Sequence, residues 1–117
     1  MLVVKFGNMD VELVKGEYSN GRFAVIMLDP NTKEELTMLT VNIPEAMFYG
    51  ETIGQEECYE ALINHIDGYD YIKILNWLED KNLIEPNVIV GEIKSGFNFY
   101  MGVKFKNKIV NQMDKVE

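Results

Sequence analysis

The strongest local structural signal in the sequence is Tyr18-Ser19-Asn20-Gly21-Arg22, followed by FAVIML at residues 23–28. Its Asn20-Gly21 pair predicts a type I′ hairpin turn, because both residues tolerate the positive φ that this turn requires. We interpret Arg22, just past the turn, as a surface contact. Residues 22–28 are apolar on both faces, which is typical of a central strand covered on each side. The region therefore predicts an antiparallel hairpin whose second strand lies inside a sheet.

Further strands are predicted on both sides of this hairpin. Apolar and polar residues alternate over 2–6 and 9–13 with the period of two that indicates half-buried strands. The pattern of residues 36–43 predicts another strand, which Pro44 ends, and residues 88–93 predict one more. In residues 97–105 the alternation is strict, and its apolar positions are expected to face the core. These positions are Phe97, Phe99, Met101, Val103 and Phe105.

Two helices are predicted in the middle of the chain. In residues 55–66 the apolar side chains fall at helical spacing, and in residues 70–82 they recur at i, i+3, i+4 and i+7 with Asp70 as N-cap. The order of elements predicts an α+β fold, in which an antiparallel sheet (a meander plus a C-terminal hairpin) carries both helices on one face. Residues 1–107 are expected to form a single domain, followed at 108–117 by a tail polar enough to fray.

Charge is concentrated in one part of this acidic chain. The formal net charge is −8, and residues 29–67 contain nine acidic residues against the single basic Lys33. Such a surface disfavours direct contact with nucleic acid and favours either solubility or a basic partner. A charge run of this kind is more often a solvated face than a binding site. The 117 residues include one cysteine, Cys58, so no internal disulfide forms, and no apolar run approaches the length of a membrane span. We expect a cytoplasmic protein without membrane contact.

The sequence contains no recognisable catalytic, metal or cofactor pattern. The only histidine, His65, lies seven positions after Cys58 on the same predicted helix, about 10 Å along its axis and too far for a hydrogen bond. We interpret the carboxylates of Glu56, Glu57 and Glu60 as a first-turn cluster favoured by the helix dipole rather than as metal ligands. No enzymatic activity and no cofactor are therefore predicted.

Three segments, in this order, resemble a known family. They are Tyr18-Ser19-Asn20-Gly21-Arg22, Leu39-Thr40-Val41-Asn42-Ile43-Pro44 and Ser95-Gly96-Phe97. Together they resemble small proteins of unknown function carried on phages and mobile elements, although this chain has a longer helical middle. The resemblance implies a mobile-element setting, where small acidic proteins often inhibit host defence, anti-CRISPR proteins among them.

The leading hypothesis is a non-enzymatic protein that inhibits a host nucleic-acid-handling or defence protein through its acidic surface. The predicted protein-binding residues are the carboxylates of the loop and first helix: Glu45, Glu51, Glu56, Glu57 and Glu60. Of these, Glu56 and Glu60 are expected to share a helix face. The alternative is a structural or assembly module that acts by self-association, for example as a homodimer, or by sheet-edge pairing. A small hydrolase or ligand-binding enzyme is the third class.

Overall fold

A computed structural model describes residues 1–48 and 59–116 of the chain. The strands and helices follow in this order: β1 (Leu2–Phe6), β2 (Met9–Glu17), β3 (Phe23–Leu28), β4 (Glu35–Met38), β5 (Thr40–Val41), β6 (Glu60–Ile63), α1 (Tyr71–Asp80), β7 (Gly91–Ser95), β8 (Asn98–Lys104), α2 (Asn107–Val110) and β9 (Asp114–Lys115). Antiparallel strands dominate and two short helices accompany them, which agrees with the predicted α+β class.

The strands form two sheets rather than the predicted single one. The first is the expected meander, β1-β2-β3-β4, and β9 adds a short parallel pairing to β2. The second has the order β5-β6-β8-β7 and contains the expected C-terminal hairpin. Aromatic and aliphatic side chains from both sheets, among them Phe23, Val25, Ile63 and Phe105, meet in one main core cluster.

The predicted strand at 36–43 passes from one sheet to the other at Leu39. Its N–H donates to the carbonyl of Val25 in β3 at 3.0 Å, while its carbonyl accepts from the N–H of Asn64, just after β6, at 2.9 Å. The Leu39 side chain is fully buried. A strand that switches sheets in this way forms a corner between two packed sheets. The two sheets are thus joined through both peptide groups of one residue.

The helix predicted at 55–66 is wrong over residues 60–63, which form β6 instead. The apolar run Ala61-Leu62-Ile63 is buried on both faces, and β6 pairs with β8 on one side and β5 on the other. A short apolar run fits a buried strand as well as a helix, and pairing partners decide between them. Residues 55–58 of that prediction lie outside the described residues.

The second predicted helix, at 70–82, forms as α1. The side chain of Asp70 accepts a hydrogen bond from the N–H of Ile72 at 2.9 Å, so the predicted N-cap is confirmed. Ile74 and Leu78 enter the main core. Trp77, next to Leu78, donates its ring N–H to the carbonyl of Lys5 at 2.6 Å. The helix therefore packs at β1 and covers part of the edge of the first sheet.

Residues 108–116, predicted as a polar tail, pack against the rest of the described chain. Residues 108–116 include part of α2 and all of β9, and Ile109, Val110 and Met113 are buried in the main core. The parallel pairing of β9 with β2 also holds the end of the chain, since the N–H of Val116 donates to the carbonyl of Lys15 at 2.8 Å. Because most residues of this segment are polar, its composition did not indicate that three apolar side chains are buried in the core. Residue 117 lies outside the described residues.

The hairpin of β7 and β8 extends beyond the rest of its sheet. We name residues 92–101 the hairpin arm. Neighbouring β6 pairs with residues 102–104 of β8, and among the described residues no strand pairs with residues 98–101 on that side. The predicted core face of β8 is correct for Val103 and Phe105. It is wrong for Phe97, which is 105% exposed at the tip of the arm, and for Phe99, which is also exposed.

Candidate protein-binding surface

The Tyr18–Arg22 segment forms a tight turn, but not the predicted type I′ turn. The N–H of Gly21 donates to the carbonyl of Tyr18 at 2.9 Å, and the N–H of Tyr18 donates to the carbonyl of Arg22 at 2.8 Å. Gly21 has a φ of 88°, whereas Asn20 is not among the residues with positive φ. Type I′ requires positive φ at both central residues, so this connection is a three-residue loop that ends on a left-handed glycine.

Polar side chains of this turn bond directly to the second segment singled out in the sequence. The Tyr18 hydroxyl lies 2.8 Å from Thr40 Oγ1, and Asn20 Nδ2 donates to Asn42 Oδ1 at 3.1 Å. Thr40 Oγ1 also accepts from the N–H of Val25 at 3.0 Å. Burial of the Tyr18 ring raises the pKa of its hydroxyl. The two segments therefore form one polar network, which positions the chain that follows β5.

Arg22 is not the expected surface contact. Its side chain is only 7% exposed and reaches residues 43–48, which we name the anchored loop. The guanidinium donates through Nη1 to the carbonyl of Ile43 at 2.9 Å and through Nη2 to the carbonyl of Ala46. It also lies 4.4 Å from the ring centroid of Phe48, within the range of a cation–π contact. One buried cation thus holds both ends of this loop.

The anchored loop has an inner and an outer side. Ala46 and Phe48 are buried in a second apolar cluster with Leu62 and Val90. Glu45 and Met47 alternate with them and face solvent, Met47 being 80% exposed. Charge and apolar surface are therefore displayed side by side on backbone that Arg22 fixes.

The base of the hairpin arm supports the same loop. Phe48 forms an isolated antiparallel bridge with Gly91, the first residue of β7. A Cβ atom at position 91 would lie 2.8 Å from Phe48 Cδ1 and 3.0 Å from the carbonyl oxygen of Met47. Only glycine allows this approach. Sequence reasoning missed the role of Gly91, for which an isolated glycine at the start of a strand is the only signal.

Two of the five predicted binding carboxylates, Glu45 and Glu60, lie in the part of the chain that the structure describes. Glu45 is exposed on the anchored loop, whereas Glu60 is half-buried in β6 opposite Lys104. The predicted helix face shared by Glu56 and Glu60 is wrong, because Glu60 belongs to a strand. Residues Glu51, Glu56 and Glu57 lie outside the described residues. Of the two described members, Glu45 is exposed and Glu60 is partly buried.

The side chains of His65 and Tyr71 stack on each other and bond to the backbone. His65 Nε2 lies 2.8 Å from the carbonyl oxygen of Phe99, and its ring stacks on Tyr71 at 4.0 Å. The Tyr71 hydroxyl donates to the carbonyl of Ile63 at 2.7 Å and accepts from the N–H of Met101 at 2.9 Å. Burial raises the pKa of Tyr71 to about 12, so this hydroxyl stays protonated at neutral pH. Within residues 1–48 and 59–116, no group of three or more histidine, cysteine or acidic side chains could hold a metal ion.

Comparisons with protein-family models, curated proteins and solved structures gave no match for this chain. Among the described residues, no helix is long and apolar enough to cross a membrane.

Proposed function

We propose that this chain is a non-enzymatic protein-binding module that acts through the outer side of the anchored loop. The observation that carries the proposal is the attachment of this loop by Arg22, which leaves Glu45 and Met47 exposed on a fixed backbone. A preformed surface loses little conformational entropy when it binds. Methionine also adapts its shape readily to an apolar partner surface.

The partner that fits best is a protein with a basic surface. The net charge of −8 and the acidic excess of residues 29–67 favour such a partner over nucleic acid or an anionic membrane. With the resemblance to mobile-element proteins, this supports a more specific proposal, in which the chain inhibits a host nucleic-acid-handling or defence protein by occupying its basic groove. An anti-CRISPR-like activity belongs to this class. The cytoplasm is the compartment that goes with it.

The test is capture of a host protein from a bacterial lysate, followed by affinity measurement with the purified partner. Glu45→Lys combined with Met47→Asp should reduce affinity about 10-fold or more, because both outward side chains are reversed in character. The matched control is Glu34→Lys with Leu36→Asp, which makes comparable changes at two exposed positions, one just before β4 and one within it. The affinity of the wild-type protein for this partner should also fall as the salt concentration rises. Equal loss in both double variants would contradict the proposed location of the site.

A further inference from the structure

The hairpin arm carries a segment whose composition favours pairing with copies of itself. Residues 97–103, FNFYMGV, contain no charged residue and no proline. The side chains of Phe97 and Phe99 in this segment are exposed. A short, uncharged segment of high β-propensity at the edge of a sheet is prone to add strands from other molecules. The arm is therefore a strand whose free edge needs protection.

The hydroxyl of Tyr71 lies where the pairing of β6 with β8 ends. The last pair in the register is Leu62 opposite Gly102, and one more antiparallel step would place Ile63 opposite Met101. The hydroxyl bridges the backbones of these two residues. It donates to the carbonyl of Ile63 at 2.7 Å and accepts from the N–H of Met101 at 2.9 Å. The Tyr71 side chain thus bonds to a backbone donor of the arm that a further strand residue would otherwise take.

His65 bonds to the arm in the same way, two residues closer to its tip. The register of β6 and β8, if continued, would place His65 opposite Phe99. The histidine reaches this residue with its side chain, since Nε2 lies 2.8 Å from the carbonyl oxygen of Phe99. A carbonyl oxygen only accepts, so Nε2 is the donor in this bond. The His65 ring also stacks on Tyr71 with 4.0 Å between the ring centroids, which joins the two side chains into one unit.

We propose that Tyr71 and His65 form an edge guard, which keeps a second copy of this chain from adding a strand to the hairpin arm. Two of the groups that such a strand would bond to, the N–H of Met101 and the carbonyl of Phe99, are already bonded to the guard. An added strand must break these bonds before it forms its own. The net charge of −8 on each copy also opposes association. This inference does not depend on the partner proposed above, because it concerns copies of the chain and a different surface.

The first experiment removes the guard and measures mass against concentration by sedimentation or light scattering. Tyr71→Phe with His65→Phe keeps two aromatic rings and removes both polar contacts with the arm. The wild-type protein should stay monomeric up to about 1 mM, whereas the double variant should associate at concentrations about 10-fold lower or less. Salt should strengthen this association, because it screens the repulsion between the copies. A double variant that stays monomeric over the same range, or a wild-type protein that associates as strongly, would overturn the proposal.

The second experiment separates the guard from a general loss of stability, which by itself promotes association. Tyr18→Phe is the matched control for Tyr71→Phe alone, because it removes another half-buried tyrosine hydroxyl, whose bond is to Thr40 and not to the arm. Tyr71→Phe should associate more strongly than Tyr18→Phe. Equal association of the two single variants would show that destabilisation is the cause, and the edge guard would be rejected.

The third experiment tests whether association runs through the edge of the arm. The N–H and the carbonyl of one strand residue face the same edge, so the N–H of Phe99 lies on the side that the guard covers. Phe99→Pro, added to the double variant, removes this N–H and leaves the pairing with β7 in place. Association should return to the wild-type level. If this triple variant does not fold by circular dichroism, Phe99→Lys replaces Phe99→Pro, because a charged edge residue also opposes strand addition. Association that persists in the folded triple variant would overturn the arm as the contact.

Discussion

The hydroxyl of Tyr18 lies 2.8 Å from Thr40 Oγ1, and the same threonine oxygen accepts the N–H of Val25 at 3.0 Å. The hairpin turn, β3 and the strand that enters the second sheet are therefore joined at one buried hydroxyl. Thr40 is fully buried and Tyr18 half-buried, so neither bond is readily replaced by water.

Removing these hydroxyls separately should distinguish their contributions. Tyr18→Phe should lower the free energy of unfolding by about 1 kcal/mol, and Thr40→Val by about 1–3 kcal/mol, because the latter also leaves the Val25 N–H unpaired. Urea unfolding measures both. The double variant should cost less than the sum of the two. Strict additivity would show that the two hydroxyls do not interact in solution.

We expect the turn to tolerate a β-branched side chain at position 19 but not at position 21. Gly21→Val should destabilise the protein by about 1–3 kcal/mol, because a β-branched residue resists the φ of 88°. Ser19→Val, in the same turn but exposed and without positive φ, is the control and should cost less than about 0.5 kcal/mol. Thermal unfolding compares them. Equal melting temperatures for the two variants would contradict the left-handed glycine.

The buried side chain of Glu12 forms an ion pair with Lys33. Its carboxylate is 2% exposed and accepts from Lys33 Nζ at 2.6 Å. Lys33→Met should cost about 1–3 kcal/mol, since it leaves a buried carboxylate unpaired, although the half-exposed lysine limits the loss. The control is Lys5→Met, whose pair with Asp10 is exposed and should be worth less than about 1 kcal/mol.

The same pair allows a recovery experiment. Replacing both partners, as Glu12→Leu with Lys33→Met, should restore most of the stability lost in Lys33→Met, because no uncompensated charge stays buried. A double variant less stable than Lys33→Met would mean that the carboxylate has a second stabilising contact.

Because of Tyr71, the free energy of unfolding should change with pH in the alkaline range. Its pKa is raised from 10.0 to about 12, chiefly by burial, so folding favours the protonated hydroxyl. That contribution is complete below pH 10 and is lost as pH rises through the folded pKa near 12. Thermal melts of wild type and Tyr71→Phe from pH 9 to 12 should therefore converge toward the upper end of this range. A constant gap across the range would show that Tyr71 ionises normally.

Local sequence signals predicted the elements whose cause is local. The sequence of residues 22–28 predicted a central strand because both of its faces are apolar. Asp70 could be predicted as an N-cap because its carboxylate bonds within its own helix. The contacts of Arg22 could not be predicted in this way. Its acceptors, the carbonyls of Ile43 and Ala46, lie 21 and 24 positions away, and nothing near Arg22 in the sequence indicates them.

The incorrect predictions concern elements whose structure is decided by residues distant in sequence. Residues 60–63 satisfy a helical spacing and a buried strand equally, and the choice was made by pairing with β5 and β8, which are distant in sequence. For the candidate site, sequence reasoning identified Glu45 as a surface carboxylate but missed Met47. The alternation of Glu45 and Met47 with buried Ala46 and Phe48 depends on the bridge to Gly91.

Leu39 has a consequence for how the molecule unfolds. Because its N–H bonds to one sheet and its carbonyl to the other, neither sheet can open along this strand without breaking a bond to the second. The sheets should therefore lose structure as one cooperative unit rather than as two subdomains. In hydrogen exchange, the Leu39 and Asn64 amides should exchange together and only through global unfolding, while amides at the tip of the hairpin arm exchange early.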